Sequence, residues 1–440
     1  MSGSQLLIAY YGDDFTGSTD VLEALSGNGI PTVLFTRIPD EEKRRRFADC
    51  RAIGLAGTSR SQPPEWMDLE LPKVFTWLRS LAANVVHYKV CSTFDSAPHR
   101  GSIGRAIEIG LAVFEQDIVP IVVGAPELRR YTVFGQLFAA YEGVVFRIDR
   151  HPVMSRHPAT PMDEADLLLH LARQTAMPTA RIDLADQLAA REGTAFAQAR
   201  AAGKRAMLID VYDYASQELA GRLLAAELNA AQPLAFGSSG VEYALLRVWD
   251  VERTPLTVQP LAPLARTAVV SASCSAVTET QIRTAIAAGF TGLALDYGAL
   301  ATGMGAQAAF EKAVEEGRAA LYAGRSPIFY TALGPRDVRA PDGGISDECV
   351  GQALGQLLRL LVEEFALSRV AVAGGDTSGH ALSELDIYAL TLRYPIAQSP
   401  GSPVCIGYRE TASPSTVEIV LKGGQIGQPD YFVRLREGTF

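Results

Sequence analysis

The residues with the clearest capacity for chemistry stand together near the start of the chain, at Gly12-Asp13-Asp14-Phe15-Thr16-Gly17. Two adjacent carboxylates can orient and deprotonate a hydroxyl or hold a cation, and Thr16 adds a hydroxyl beside them. They follow a short apolar run, Leu6 to Tyr11, and precede a helical pattern in which Val21, Leu22 and Leu25 share one side. The spacing predicts a buried strand ending in a polar turn at the C-terminal edge of a sheet, where open α/β sheets bind ligands. The same residues would also serve as a plain turn and helix cap, and this stretch alone leaves both readings open.

A second kind of chemistry is written in the last third of the chain. The strand-like Arg369–Ala373 runs straight into Gly374-Gly375-Asp376-Thr377-Ser378 and then an amphipathic pattern. Glycines let backbone N–H groups approach a ligand closely, and a helix starting there presents its positive end, so the stretch reads as a phosphate cradle. It lacks the lysine of a Walker A loop. Val269–Ser271 leads similarly into Ser273-Cys274-Ser275 and Thr278, and Val417–Leu421 into Lys422-Gly423-Gly424. Each could be a ligand-free strand–helix turn; three of them in one α/β region favour a nucleotide site. A GxGxxG dinucleotide fingerprint is absent, which disfavours a dehydrogenase.

Other polar residues lie at predicted strand ends in the first half. Lys89 is the one charge in its strand and would be costly inside without a partner, unless it snorkels from an edge strand. Ser92 and Thr93 follow it in a polar loop. Arg60, in the loop after strand 51–56, has the planar fork that suits a carboxylate. His151 and His157 each precede a proline and read as structural rather than as metal ligands.

The elements that must position these groups alternate along the chain. Apolar runs at 6–11, 31–36, 51–56, 84–90, 118–123, 144–148, 206–211 and 233–236 interleave with amphipathic segments at 64–82, 102–116, 132–140 and 214–229. Such alternation predicts βαβ units and a mostly parallel sheet. The proline-rich stretch 252–266 reads as a linker, and strands and helices then alternate again. The expected organisation is α/β with two domains, 1–255 and 256–440, as suits 440 residues.

Composition bounds the function class. Apolar residues are 48% and charged residues 20%, and the net charge of −9 argues against a nucleic-acid partner. Five dispersed cysteines without a CxxC pair predict reduced thiols and a cytoplasmic location. The N-terminus lacks a signal-peptide pattern, and no run of about 18 apolar residues predicts a membrane span.

Taken together these motifs resemble the four-carbon acid sugar kinase family across essentially the whole chain. Asp13-Asp14-Phe15-Thr16-Gly17 and Lys89…Ser92-Thr93 match its sugar-acid-binding half. Ser273-Cys274-Ser275…Thr278…Gln281, Gly374-Gly375-Asp376-Thr377-Ser378 and Lys422-Gly423-Gly424 match its nucleotide-binding half. The resemblance implies two α/β domains, an active site in the cleft between them, and ATP-dependent phosphorylation of a terminal hydroxyl. Asp13 or Asp14 would then be the base, with Thr16 at the substrate. Arg60 and Lys89 would hold the substrate carboxylate, and Ser92 and Thr93 its hydroxyls. Gly374, Gly375, Asp376 and Thr377 would hold the phosphates, with Ser273, Ser275 and Gly424 at the nucleotide. ATP and Mg2+ are the implied cofactors, magnesium being held by phosphates rather than by a protein cage. A small sugar acid is the implied partner, and a homodimer is an optional assembly. The family's usual Lys-x-Asp-Ser-Thr-Leu-Arg-Gly is here Lys89-Val90-Cys91-Ser92-Thr93-Phe94-Asp95-Ser96, which suggests a subgroup with a different acceptor. With His151…His157-Pro158 this loop resembles members associated with oxidised branched-chain acids such as 3-oxo-isoapionate, and the implied acceptor is of the threonate, 3-oxo-tetronate or 3-oxo-isoapionate type. The alternative of another class is a non-catalytic sensor of sugar acids or nucleotides, against which the paired acids argue.

Overall fold

The computed structural model describes residues 6–157, 159–189, 192–229, 231–302, 305–337, 347–410 and 413–440. By its internal contacts the chain forms two compact units, one of Met1–Thr32 and Asp40–Pro255, the other of Val33–Pro39 and Leu256–Phe440. Short apolar runs supply the strands: β1 (Ile8–Gly12), β2 (Thr32–Phe35), β3 (Ala52–Ala56), β4 (Val85–Lys89), β5 (Val119–Val122), β6 (Arg130–Val133), β7 (Gln136–Tyr141), β8 (Val144–Arg147), β9 (Thr179–Ile182), β10 (Ala206–Ile209) and β11 (Leu234–Gly237). In the first unit they lie in the order β3-β1-β4-β11-β5-β10-β9, and every pair is parallel. β1, β3, β4 and β11 are buried throughout, as expected of strands covered on both faces.

The chain leaves β1 for β3 on one side and returns to β4 on the other. That reversal opens a crevice at the C-terminal ends of β1 and β4, where Gly12 stands opposite Lys89. β4 lies between β1 and β11, so Lys89 is not on an edge strand; it is 2% exposed.

The second unit adds β12 (Ala268–Ser271), β13 (Thr291–Ala294), β14 (Pro327–Tyr330), β15 (Arg369–Ala373), β16 (Ile387–Tyr394), β17 (Val404–Arg409) and β18 (Thr416–Lys422). Their order is β13-β14-β12-β15-β18-β17-β16-β2, parallel through β18 and antiparallel beyond. Again the order reverses, here between β12 and β15, and Ser271 stands opposite Ala373 at the crevice.

Two expectations change. The run at 31–36 does form a strand, but β2 pairs antiparallel with β16, and Val33–Pro39 belongs to the second unit rather than to the range 1–255. A Thr-Val-Leu-Phe run buried at every position specifies a strand without naming its neighbour. The helix expected over 132–140 is instead the hairpin of β6 and β7, continued by β8 into a small antiparallel sheet. Its turn is Phe134-Gly135, both at positive φ, and Leu137 and Ala139 alternate with less buried neighbours. Period two wins over the apparent helical pattern. Among the described residues, no helix is long and apolar enough to cross a membrane.

Candidate active site

In the first unit, backbone hydrogen bonds fasten the strand ends together. Asp13 N–H donates to the Lys89 carbonyl at 2.9 Å, and Arg60 N–H to the Asp13 carbonyl at 3.1 Å. Asp14 caps the helix Phe15–Gly27, its Oδ1 accepting from Gly17 N–H at 2.6 Å. Its Oδ2 accepts from Arg60 Nη1 at 2.9 Å. A side chain at Gly17 would collide with Asp14 and with Lys89: a Cβ there would lie 2.5 Å from Asp14 Oδ1 and 2.9 Å from Lys89 Nζ.

The two adjacent acids therefore differ. Asp14 is held at both oxygens, whereas buried Asp13 has an Oδ1 without a hydrogen-bond partner. Burial pushes the Asp13 carboxyl up to about 8, with neighbouring Asp14 adding to the rise against the opposing pull of Arg60 and Lys89. Thr16, one turn away, also carries a buried hydroxyl without a partner.

The cations differ as well. Arg60 is bound at Nη1 by Asp14 and at Nη2 by Asp95, the latter at 2.6 Å. Lys89 Nζ is 3.7 Å from Asp20 Oδ2, an ion-pair distance that leaves its donors open. Burial alone would lower the Lys89 ammonium, but Asp20, Asp13 and Asp14 raise it, so it stays charged. Thr93 is engaged within its loop: its hydroxyl donates to Asp95 Oδ1 at 2.6 Å and touches Cys91 Sγ at 3.0 Å. Ser92 is half-buried beside it. The structure thus gathers Asp13, Asp14, Thr16, Arg60, Lys89, Ser92 and Thr93 around one crevice, while both terminal nitrogens of Arg60 are already paired with the protein's own acids.

Sequence reasoning missed three contributors. Asp95 was visible only as the loss of a cation, yet it is a buried acid. Asp20, one helical turn beyond Thr16, is the ion-pair partner of Lys89. His87, two residues before Lys89 and so on the same face of β4, sits with Nδ1 2.5 Å from Glu242 Oε1 and Nε2 3.1 Å from the Gly237 carbonyl. A carbonyl only accepts, so Nε2 carries a hydrogen and Nδ1 shares one proton with Glu242. The period-two spacing of His87 and Lys89 was the available signal; Glu242 had none. His151 and His157 accept backbone N–H groups at Nδ1, from Val153 and Met154 in one case and from Thr160 in the other. Pro158 lies outside the described residues.

The crevice of the second unit is built from different material. Ser275 caps the helix Ala276–Ala287 through Thr278 N–H at 3.0 Å, and its hydroxyl donates to the Gly424 carbonyl. Thr278 Oγ1 reaches the same carbonyl at 3.0 Å. A Cβ on Gly424 would lie 2.8 Å from Ser273 Oγ, so the two loops touch. Lys422 does not face outward: fully buried, its Nζ donates to the carbonyls of Gly423 at 2.8 Å and Ile426 at 3.0 Å, and to Thr278 Oγ1 at 3.2 Å. Burial lowers its ammonium to about 7.

Next to it, Gly374 N–H donates to the Lys422 carbonyl at 2.9 Å. Gly374 has φ 130°, a conformation for glycine, and precedes the helix Gly375–Glu384. A Cβ on Gly375 would meet no atom within 4 Å. The protein's own packing therefore does not require glycine there, and the open space at a helix N-terminus fits a phosphate. The side chains of Asp376 and Thr377 lie outside the described residues. Beside the helix Ala276–Ala287 lies a cavity of about 560 Å3, lined by Ala276, Leu333 and Pro335 and by two cations and two acids, Arg283, Arg336, Glu279 and Asp337.

Comparisons with known proteins agree with this division. A family model for a sugar-binding N-terminal domain matches residues 8–245, and one for a nucleotide-binding C-terminal domain matches residues 268–432. The chain is 44% identical to a 3-oxo-isoapionate kinase of Paraburkholderia graminis, over 98% of this chain and 94% of that protein. It is 29% identical to a 3-oxo-tetronate kinase of Cupriavidus necator, over 97% and 95%. A solved structure from Salmonella typhimurium LT2 shares 25% identity and a TM-score of 0.76, over 98% of each chain. With sugar-binding and nucleotide-binding matches in the same chain and a 44% relative along its length, the protein belongs to the four-carbon acid sugar kinase family and is an ATP-dependent sugar-acid kinase.

Proposed function

We propose that this kinase phosphorylates a terminal hydroxyl of an oxidised, branched sugar acid of the 3-oxo-isoapionate class, with Asp13 taking the hydroxyl proton. The observation that carries the role of Asp13 is the inequality of the two acids. Asp14 is fixed at both oxygens, and Asp13 keeps one oxygen open in a buried setting. A carboxyl pushed up to about 8 sits close to the working pH, where a group takes and gives a proton most effectively. The acceptor class is favoured by the 44% relative named for 3-oxo-isoapionate, against 29% for the 3-oxo-tetronate kinase of Cupriavidus necator.

Phosphoryl transfer needs positioning and charge stabilisation rather than covalent help. In this reading Lys89, charged and with open donors, holds the acceptor's acid group, and Thr16 and Ser92 bond its hydroxyls. The N–H group at Gly375, where the helix begins after the Gly374 turn, receives phosphate oxygens, Ser273 lines the nucleotide, and Ser275 and Lys422 hold the loop of Gly424 in shape. The neighbouring cavity, lined by Ala276, Leu333 and Pro335 and by charged side chains of both signs, takes the base. Magnesium, when bound, supplies neutralisation of the phosphate charge; it draws most of its ligands from phosphate and water, which a glycine turn accommodates. A cytoplasmic location suits five cysteines that form no disulfide and the need for ATP.

The test is ADP release with ATP and a panel of four- and five-carbon sugar acids. The expected result is the highest kcat/KM with 3-oxo-isoapionate. A higher kcat/KM with 3-oxo-tetronate or threonate would defeat the acceptor assignment.

A further inference from the structure

Asp95 ends the loop that follows β4, and its side chain has no exposure. Its Oδ2 accepts from Arg60 Nη2 at 2.6 Å and from Thr160 Oγ1 at 3.1 Å, and its Oδ1 from Thr93 Oγ1 at 2.6 Å. These partners come from three separate stretches of chain. The backbone bends unusually to deliver it: Phe94, just before, has φ 56°, which costs a side-chain-bearing residue roughly 1 kcal/mol or more. Burial would raise the Asp95 carboxyl, but Arg60 and the Thr93 hydroxyl outweigh it and hold Asp95 far below the usual carboxylate range. It is an ionised acid inside the acceptor crevice.

That placement bears on Arg60. A guanidinium fork binds a substrate carboxylate by two nitrogens at once. Here Nη1 serves Asp14 and Nη2 serves Asp95, so both terminal nitrogens are already paired with the protein's own acids, which neutralise the charge an acceptor's carboxylate would need. We infer that Asp95 is a positioning residue that withholds Arg60 from the acceptor's acid group and, through Arg60, holds Asp14 in place beside Asp13. The acceptor's carboxylate is thereby left to Lys89. The inference rests on reading this crevice as the acceptor site, and it deepens that reading by naming what selects the acceptor's orientation.

The experiment compares Asp95→Asn with Arg60→Lys under ATP and the acid acceptor. Asp95→Asn removes one anion from the pocket and frees a guanidinium nitrogen, so acceptor KM falls while kcat drops at least tenfold. Arg60→Lys keeps a cation without the two-point bridge, so kcat drops comparably and acceptor KM does not fall. The melting shift given by ADP, which binds the other unit, checks that each variant is folded. If both variants lose activity with acceptor KM unchanged, Asp95 only braces the fold and the inference is overturned. Should Asp95→Asn fail to fold, Thr160→Val removes the 3.1 Å bond to Asp95 together with the 3.2 Å hydroxyl contact with His157 Nδ1; a two- to threefold split in the same direction supports the inference, and no change overturns it. A crystal structure of Asp95→Ala decides without turnover: Arg60 should leave its 2.9 Å contact with Asp14, and an unmoved Arg60 overturns the clamp. If the unaltered enzyme phosphorylates no sugar acid, the functional reading fails, and the crystal structure still judges the clamp.

Discussion

The two crevices occupy equivalent positions, each where strand order reverses at the C-terminal edge of a parallel sheet, yet they are made of opposite materials. The first gathers Asp13, Asp14, Asp20 and Asp95 around Arg60 and Lys89, all with little exposure and most in ion pairs. The second offers glycines, serine and threonine hydroxyls and helix N-termini, with one lysine turned into its own loop. The difference follows from the chemistry each must do. Taking a proton from a hydroxyl requires an ionisable group whose affinity for protons is tuned, and burial among charges does that tuning. Holding phosphates requires many N–H donors at close range, and carboxylates there would repel the ligand. Side-chain charge makes one site; exposed backbone makes the other.

The sharpest way to break the comparison is Asp13→Asn. If tuned burial of this carboxyl is what the first crevice is built for, kcat should fall about 10²–10⁴-fold while ADP binding persists. Stability should move the other way. A carboxyl raised in the folded state keeps its proton where the unfolded chain releases it. Folding stability therefore declines as pH climbs from the ordinary carboxylate range, near 4, through about 8. Asparagine does not ionise, so the variant should melt higher than the unaltered protein, with the gap widening up to pH 8–9. A gain of order 1 kcal/mol corresponds to roughly 2–4 °C for a unit of this size. A variant that melts lower at pH 8, or that keeps near-normal turnover, would show that Asp13 is a satisfied turn residue. In the unaltered enzyme, kcat/KM for the acceptor should rise with pH to a plateau above about 8, and the rise should be absent in Asp13→Asn.

For the second crevice the matching variant is Gly375→Val. Glycine there faces open space and its φ is not in the left-handed region, so the protein alone should tolerate a side chain with little loss of stability. A phosphate would not. ADP at about 100 times its Kd stabilises the unaltered protein by roughly 2.7 kcal/mol, and that melting shift should vanish in Gly375→Val. Sugar-acid binding to the first unit should be unchanged. A persisting shift would mean the phosphates lie away from this turn.

These contrasts also explain what was legible in the chain. Asp13-Asp14 and Gly374-Gly375 were found because strand ends and glycine turns leave local signatures. Lys89 was recognised as an anomaly, a charge within an apolar strand, and the structure resolves it through Asp20, whose role no local pattern announced. Asp95 escaped because its significance is pairwise: a buried acid gains meaning only from Arg60, Thr93 and Thr160, up to 65 residues away. Glu242 is 155 residues from His87 and equally silent. The misread hairpin at 130–141 has a different cause. Its Phe134-Gly135 turn lacks the Asn-Gly or Asp-Gly dipeptide that usually marks two-residue loops, so neighbouring apolar residues imitated a helix. β2 shows that a fully buried strand can be recognised while its partner cannot.

Lys422 is the exception that tests whether the second crevice depends on charge at all. It is the buried cation of that site, and burial lowers it to about 7. An ammonium lowered in the folded state gives up its proton while the unfolded chain keeps it to about 10.4, so the cost to stability is greatest below pH 7 and eases as pH rises from 7 towards 10. Lys422→Met removes that cost along with three hydrogen bonds, to Thr278, Gly423 and Ile426, worth about 1 kcal/mol each. The opposing effects should leave the melting temperature little changed at pH 7, and the variant should lose ground to the unaltered protein as pH approaches 10. The larger consequence falls on the loop carrying Gly424, which then rests on the Ser275 and Thr278 hydroxyls and on the Gln281 amide that donates to the Ile426 and Gln428 carbonyls. Loosening it by about 1 kcal/mol weakens ADP roughly three- to tenfold, measurable by calorimetry. A loss of less than twofold would mean that hydroxyls and backbone suffice, and the contrast between the two crevices would be complete.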